Sequence, residues 1–278
     1  MITIGLTTWS EHQSLLPEKK QLTLVDYAGF FPTVEIDSLF YGLKTPAQVQ
    51  KWADAVPAGF QFIVKATSAM TQHDKEPLAE AELAQLFQRY RGAIKPLVQA
   101  HKLKTILLQF PPFFKLTPAN IRYLIQVRQL LPKLPVAIEF RNPTWYDQLY
   151  VGEMVALMQR LQFTLVAADE PQTKVNSVPF YPTVTNPKLG LFRLHGRNMA
   201  GWLNQDKQWR GKRTLYRYNQ QELLQFATAV KTMAQTAQEV CVIFNNNSGG
   251  DAADNALALQ QLLGIEFHGL GPKQLDLF

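Results

Sequence analysis

Polar side chains stand at the ends of several short alternating segments of this chain, and their types suit proton transfer and anion binding. Carboxylates and imidazoles transfer protons when burial and charged neighbours shift their pKa values toward neutrality. Arginine binds phosphate or carboxylate through two parallel donors. The catalytic candidates are Glu35, Glu139, Asp169 and His195. The candidates for substrate binding are Asp37, Lys65, Gln109, Arg141, Arg193, Arg197 and Asn245.

Two other interpretations of these residues compete with a catalytic one. As a buried salt-bridge network they would only fix the fold, but apolar packing could replace such a network without loss of stability, so many charges at one rim indicate a site. A metal centre would use Glu35, Asp37, Glu139, Asp169 and His195. The sequence lacks His-x-His and His-Glu-x-x-His spacings, and nearby cations oppose a divalent ion, so we expect no metal ligands here. The sequence leaves the cofactor undetermined.

The segment 136–146 indicates how the chain positions such groups. It alternates residue by residue until Pro143 ends it, with apolar residues at the even positions and Glu139 and Arg141 on the other side. A strand that lies between helical patterns is normally covered by helices on its outer face, so the apolar side should face outward. Glu139 and Arg141 then point inward at the carboxyl end, where parallel α/β folds bind ligands.

Further segments repeat this arrangement and mostly alternate with helical patterns. They are 3–8, 33–37, 60–65, 105–109, 163–169, 191–197 and 240–244. Together they predict a single (β/α)₈ TIM-type barrel, a fold of about 250 residues. Residues 170–187 show no helical periodicity, so the sixth helix should be reduced or replaced by a long loop. An open doubly wound sheet is the alternative, which is disfavoured because most strands end on polar residues, as the mouth of a closed barrel requires.

The composition indicates one large domain. Of the 278 residues 46% are hydrophobic, and no low-complexity linker divides the chain, so we predict a barrel over 1–268 and a tail over 269–278. No run of about 18 apolar residues and no secretion signal are visible, so we expect a cytoplasmic protein without membrane contact. The net charge of +6 makes a polyanionic partner reasonable without requiring one.

The single cysteine and the remaining histidines are expected to be uninvolved in chemistry. Cys241 lies in an apolar run and should be a buried structural thiol. The histidines other than His195 fall in predicted loops or helix ends, where we expect them to be solvated. They are His12, His73, His101 and His268.

A series of short motifs runs in order over nearly the whole chain. It comprises VEIDSLFY (34–41), KA (65–66), LQFPP (108–112), EFR and WY (139–146), RLHGR (193–197) and FNN (244–246). This series resembles the bacterial family called domain of unknown function 72, or YecE-like. The resemblance implies a (β/α)₈ barrel, but it implies no reaction, and a fold alone settles none.

Between residues 202 and 218 aromatic side chains interleave with basic ones. They are Trp202, Trp209, Tyr216 and Tyr218 with Lys207, Arg210, Lys212, Arg213 and Arg217. Aromatic faces can stack on bases and cations can bind phosphates, so this composition suits single-stranded nucleic acid. A solvated loop that its aromatic residues pin to the barrel is an equally weighted alternative.

The last five residues are too apolar for a tail that makes no contacts. They are Gln274, Leu275, Asp276, Leu277 and Phe278. They resemble the Gln-Leu-(Ser/Asp)-Leu-Phe peptide by which bacterial replication and repair proteins bind the sliding clamp. In such a contact Leu277 and Phe278 would fill an apolar pocket and Gln274 would supply hydrogen bonds. Packing of Leu277 and Phe278 under the barrel is the alternative.

Three functions are compatible with the sequence. The first is an enzyme whose mouth handles a phosphate-bearing substrate, such as nucleic acid or a product of its repair, delivered by a tether to the sliding clamp. The second is a non-catalytic adaptor that binds DNA or a protein. The third is an enzyme that acts on a small sugar or sugar phosphate. Whether the protein is an enzyme is therefore left open.

Overall fold

A computed structural model describes all residues of the chain except 75, 77, 174–176, 205–210 and 273–278. The strands are β1 (Ile2–Thr7), β2 (Thr33–Ile36), β3 (Gln61–Lys65), β4 (Leu103–Gln109), β5 (Val136–Glu139), β6 (Phe163–Asp169), β7 (Gly190–Leu194) and β8 (Val240–Phe244). Each strand pairs in parallel with the next, and β1 pairs with β8, so the sheet closes into a barrel. The predicted TIM-type barrel is confirmed, since an open sheet would leave two unpaired edges.

Helices cover the outside of the barrel. They are α1 (Leu24–Ala28), α2 (Ser38–Tyr41), α3 (Pro46–Asp54), α4 (Glu80–Gln99), α5 (Pro118–Leu130), α6 (Val151–Arg160), α7 (Met199–Leu203), α8 (Gln220–Met233) and α9 (Asp251–Leu263). The side chains of Thr45 and Thr117 each accept a backbone hydrogen bond as N-caps, and Pro46 and Pro118 follow at the first helical position. The described residues between β6 and β7 form no helix. This agrees with the prediction that the helix after β6 is reduced or replaced by a long loop.

The alternation of β5 separates two apolar layers, as expected. Val136, Ile138 and Phe140 pack outward among the helices, whereas Ala137 lies inside the barrel. The inner layer consists of Ile63, Leu107, Ala137, Val166, Leu189, Leu191, Cys241 and Ile243. Cys241 is a free and buried thiol, as predicted, and burial raises its pKa to about 12.

Four strands end earlier than the sequence suggests, and two of them, β1 and β5, end at Thr7 and Glu139. β7 stops at Leu194, and Gly196 turns the chain with a φ of +83°, where a Cβ atom would lie 2.6 Å from Cβ of Tyr216. Arg197 therefore does not continue the alternation of the strand. β2 stops at Ile36, and Asp37 directly precedes α2.

The expectation that the four remaining histidines are solvated is wrong for His12. This residue is fully buried, its Nε2 lies 3.1 Å from the carbonyl oxygen of Thr7, and its ring centroid lies 6.3 Å from that of Tyr27 in α1. His101 and His268 are exposed, and His73 is half-buried. None of the helices in the described part of the chain has both the length and the apolar character needed to cross a membrane.

Candidate active site at the barrel mouth

Arg193 lies at the centre of the barrel mouth and is fully buried. The alternation of β7 points its side chain into the barrel. Its Nε and Nη2 donate to the two carboxylate oxygens of Glu35 at 2.7 and 2.5 Å. Its Nη1 donates to Glu139 and, at 3.0 Å, to Oε1 of Gln109. Every nitrogen of this guanidinium is therefore engaged by side chains from β2, β4 and β5.

Arg141 is the second cation of the centre, and it is also held by carboxylates. Its Nη1 donates to Oε1 of Glu139 at 2.9 Å, and its Nη2 lies 2.7 Å from Oε2 of Glu170. The ring of Trp202 lies against the guanidinium, with 4.8 Å between Cζ and the ring centroid. A ligand would therefore meet an arginine whose charge is already largely compensated.

Glu139 is the carboxylate that Arg141, Arg193 and His195 all contact. Burial raises the pKa of this carboxyl, but Arg193, His195 and Arg141 outweigh burial and hold the pKa well below its usual range. Glu139 is therefore ionised at physiological pH.

His195 is clamped between Glu139 and Asn245. Its Nε2 lies 3.0 Å from Oε1 of Glu139, and its Nδ1 lies 2.8 Å from Nδ2 of Asn245. Because Glu139 is ionised and can only accept, Nε2 must carry the proton and Nδ1 must accept from Asn245. Burial lowers the pKa of His195 to about 4, and Arg141 and Arg193 add to this effect against the opposing charge of Glu139. The imidazole is thus neutral at physiological pH.

Two other buried carboxyls titrate near neutrality. Burial raises the pKa of Glu35 to about 7, with a contribution from Asp37 and against the opposing charge of Arg193. Burial likewise raises the pKa of Glu170 to about 7, although Arg141 opposes this shift. Glu170, which opens the loop after β6, is not among the site residues that the strand-end pattern predicts. Its position one residue beyond the acidic end of a strand is the signal that could have identified it.

The rim of the mouth is formed by half-buried side chains. They are Asp37, Lys65, Gln109 and Asn245. The Nζ atom of Lys65 lies 3.8 Å from Oδ2 of Asp37 and 4.9 Å from the ring centroid of Phe40. This ion pair is long compared with those of Arg193 and Arg141. Within the described mouth, Lys65 is therefore the cation most readily available to a ligand.

Asp169 and Arg197 do not join this centre but form a separate cluster beside it. Nη2 of Arg197 donates to Oδ1 of Asp169 at 2.7 Å, and its Nη1 donates to Oε1 of Glu222 at 3.0 Å. The hydroxyl of Tyr218 donates to Oδ2 of Asp169 at 2.7 Å. Like the other odd-numbered residues of β6, Asp169 faces the helix layer rather than the interior. Glu222, in the first turn of α8, also belongs to this cluster and is not among the predicted site residues.

The aromatic and basic segment 202–218 is only partly described, because Lys207, Trp209 and Arg210 lie outside the described residues. In the described part, Tyr218 is buried and the hydroxyl of Tyr216 donates to Glu222. Arg213 lies over the outer part of Trp202, at 5.7 Å from the ring centroid. These contacts favour the pinned loop over a stacking platform.

The predicted clamp-binding residues, Gln274, Leu275, Asp276, Leu277 and Phe278, lie outside the described residues. The described start of the tail runs along α1, where the Gly271 N–H donates to the Ala28 carbonyl at 2.8 Å. The carboxyl end of α1 lies at the N-terminal face of the barrel, opposite the mouth. Across the described part of the chain, no group of three or more His, Cys, Asp or Glu residues is arranged to hold a metal ion.

A closed barrel of eight parallel strands, with an ionic centre at their carboxyl ends, defines a TIM-barrel protein with a candidate site in its mouth. The chain belongs to the family described as "Protein of unknown function DUF72", which matches residues 3–276. The resemblance that the motifs indicate is thus confirmed.

Relatives match the chain over nearly its full length. The UPF0759 protein YunF of Bacillus subtilis (strain 168) is 40% identical over 282 residues, which cover 100% of both chains. A solved structure of the DUF72 family protein EF0366 of Enterococcus faecalis V583 is 46% identical with a TM-score of 0.93, covering 99% of this chain and 100% of that one. The DUF72 family protein TM1631 of Thermotoga maritima MSB8 is 26% identical with a TM-score of 0.80, covering 95% and 100%. These names state no reaction.

Proposed function

We propose that this protein is an enzyme that transfers protons on a small polar substrate bearing one carboxylate or phosphate, at the barrel mouth. The observation that carries the proposal is the position of the His195 ring, which is held between the ionised Glu139 and Asn245 by contacts to both of its nitrogens. An imidazole that a carboxylate orients, and that burial keeps neutral, has the arrangement of a general base.

The roles of the residues follow from their contacts. A substrate hydroxyl or acidic C–H group that displaces the donor of Asn245 meets Nδ1 of His195, which accepts the proton. The negative charge of Glu139 then stabilises the imidazolium. Glu35 is fully buried and bound to Arg193, so it acts as a positioning residue that keeps the guanidinium, and through it Glu139, in place.

The charges favour a small substrate over nucleic acid. Arg141, Arg193 and Arg197 each bind carboxylates of the protein, so they offer little net charge to a polyphosphate backbone. Lys65 remains at the rim as an anchor for one anionic group.

The proposal is tested by the thermal shift of the protein and by the exchange of a substrate proton with solvent. Neither measurement requires the reaction product to be identified. The probes are D-fructose 6-phosphate and D-ribose 5-phosphate, each compared with the neutral sugar and with inorganic phosphate. A sugar phosphate should raise Tm more than its neutral sugar does. Lys65→Met should remove this difference, whereas Lys51→Met, on the exposed surface of α3, should retain it.

The catalytic part of the proposal is tested by NMR in deuterated water. The bound sugar phosphate should exchange a carbon-bound proton with solvent, and His195→Gln should abolish this exchange while the thermal shift persists. Equal exchange in the His195→Gln variant would overturn the role of His195. Absence of any thermal shift would overturn the choice of substrate, and binding without exchange would overturn the proposed proton transfer.

A further inference from the structure

A second concave site lies at the N-terminal face of the barrel, opposite the mouth. It is a cavity of about 330 Å³, large enough for a small ligand. Gln61 and Lys104 enter it from the beginnings of β3 and β4, and Lys133 and Lys188 border it from the loops that lead into β5 and β7. The same strands carry Lys65 and Gln109 at their other ends, so this cavity and the mouth are separate.

The charge of the cavity is strongly unbalanced. The Nζ atom of Lys104 donates to Gln61 at 2.8 Å and to Glu239, whose Oε1 also accepts the hydroxyl of Thr3. Glu239 therefore compensates the buried Lys104. Lys133 and Lys188 are exposed and have no ion-pair partner among the residues that the structure describes. The cavity retains positive charge that a ligand can neutralise.

Arg128 is a third cation of the lining that forms no ion pair with the described residues. Its Nη1 caps α5 by donating to the carbonyls of Leu131 and Leu134 at 2.9 and 3.0 Å, and its Cζ lies 4.5 Å from the ring centroid of Phe163. Its Nε and Nη2 are buried and have no hydrogen-bond partner in the described structure. Solvent does not reach these two atoms, so Arg128 contributes its positive charge to the cavity rather than hydrogen bonds to a bound anion.

We propose that this cavity binds a small anion that carries two linked phosphate groups. Three lining cations without an ion-pair partner among the described residues, Arg128 from α5 and Lys133 and Lys188 from the loops, suit two linked charged groups better than one. The uncharged amides of the lining, such as that of Gln162, supply further hydrogen bonds.

Isothermal titration with inorganic pyrophosphate and, separately, with ADP tests this proposal. The wild-type protein should bind at least one of them saturably, and the tighter of the two identifies whether the diphosphate is free or part of a nucleotide. The double variant Lys133→Gln/Lys188→Gln should raise Kd roughly tenfold or more, the effect of one lost charged hydrogen bond. Both side chains are exposed, so the variant should fold normally.

Two controls make the result specific. Lys51→Gln/Lys95→Gln removes the same charge from exposed positions of α3 and α4 and should leave Kd unchanged. Lys65→Met should also leave Kd unchanged, because that residue lies at the mouth. The proposal is overturned if neither probe binds wild type, if the cavity variant binds as tightly as wild type, or if Lys65→Met abolishes binding.

Discussion

Arg193 and Glu35 lie 158 residues apart in the chain and form a two-pronged ion pair inside the barrel, with Nε to Oε2 at 2.7 Å and Nη2 to Oε1 at 2.5 Å. Neither side chain reaches solvent. The pair connects β2 with β7 across the interior of the barrel. These two strands are not neighbours in the sheet. Glu139 binds the same guanidinium, so one cation holds two buried carboxylates in place.

Replacing Arg193 with Met should strongly destabilise the fold. Two buried carboxylates lose their partner, at a cost of about 3–5 kcal/mol. The free energy of unfolding in urea measures this loss. Arg217→Met is the matched control, because the ion pairs of Arg217 are exposed and should be worth less than about 1 kcal/mol. Similar losses in both variants would show that the buried centre contributes no special stability.

The pH dependence of stability should report Glu35. Its pKa rises from 4.5 when unfolded to about 7 when folded, so the native state holds the proton more tightly in that window. The stability contributed by Glu35 is therefore present below pH 4.5 and lost as pH rises through 7. Glu35→Gln should remove this loss, which amounts to about 3 kcal/mol at most. Parallel curves of unfolding free energy against pH for wild type and variant would contradict the assignment.

The protonation of His195 can be observed by ¹⁵N NMR of its ring. The spectrum should show the neutral Nε2–H form from pH 8 down to about 5, because burial lowers the pKa to about 4. Asn245→Asp places a carboxylate against Nδ1 and should raise this pKa. A wild-type titration centred near the usual 6.5 would contradict the lowered pKa, and a neutral form protonated at Nδ1 would contradict the proposed tautomer.

The hydroxyl of Tyr218 should stabilise the turn after β7. It donates to Asp169 and accepts from the Gly196 N–H, both at 2.7 Å. Tyr218→Phe should cost about 1–3 kcal/mol, since both groups lose a buried partner. Amide exchange at Gly196 should accelerate in the same variant. Tyr41→Phe, at a residue that is 88% exposed, should change neither quantity.

The tail prediction is tested by titrating purified bacterial sliding clamp with the full chain and with Leu277→Ala/Phe278→Ala. If the last residues anchor the chain, the variant should bind roughly thirtyfold more weakly, the effect of losing about 2 kcal/mol of contacts. Lys273→Ala, just before the peptide, should bind like the full chain. Equal affinity of all three would exclude the clamp as a partner of the tail.

Much of the fold could be predicted because its signals are local. The alternation around Glu139 predicts both a strand and the direction of its charged face, and the structure confirms the outward position of Val136, Ile138 and Phe140. The same reasoning brings Glu35, Arg193 and His195 to one mouth. It fails for Asp169, because a charged residue at the end of a buried strand can lie on either face, and for Arg197, because Gly196 turns the chain first.

The sequence by itself determined the number and order of the strands, the layer that each side chain faces in most of them, and the set of ionisable groups at their ends, since these depend on short-range periodicity. Only the tertiary structure decided which charges compensate one another. Closure of the barrel places Arg193 between Glu35 and Glu139, and the loop after β6 brings Glu170 to Arg141. Pairing across the interior depends on strand register and loop path, and it leaves Lys65 as the available cation at the rim, because the carboxylates of the barrel already surround the arginines.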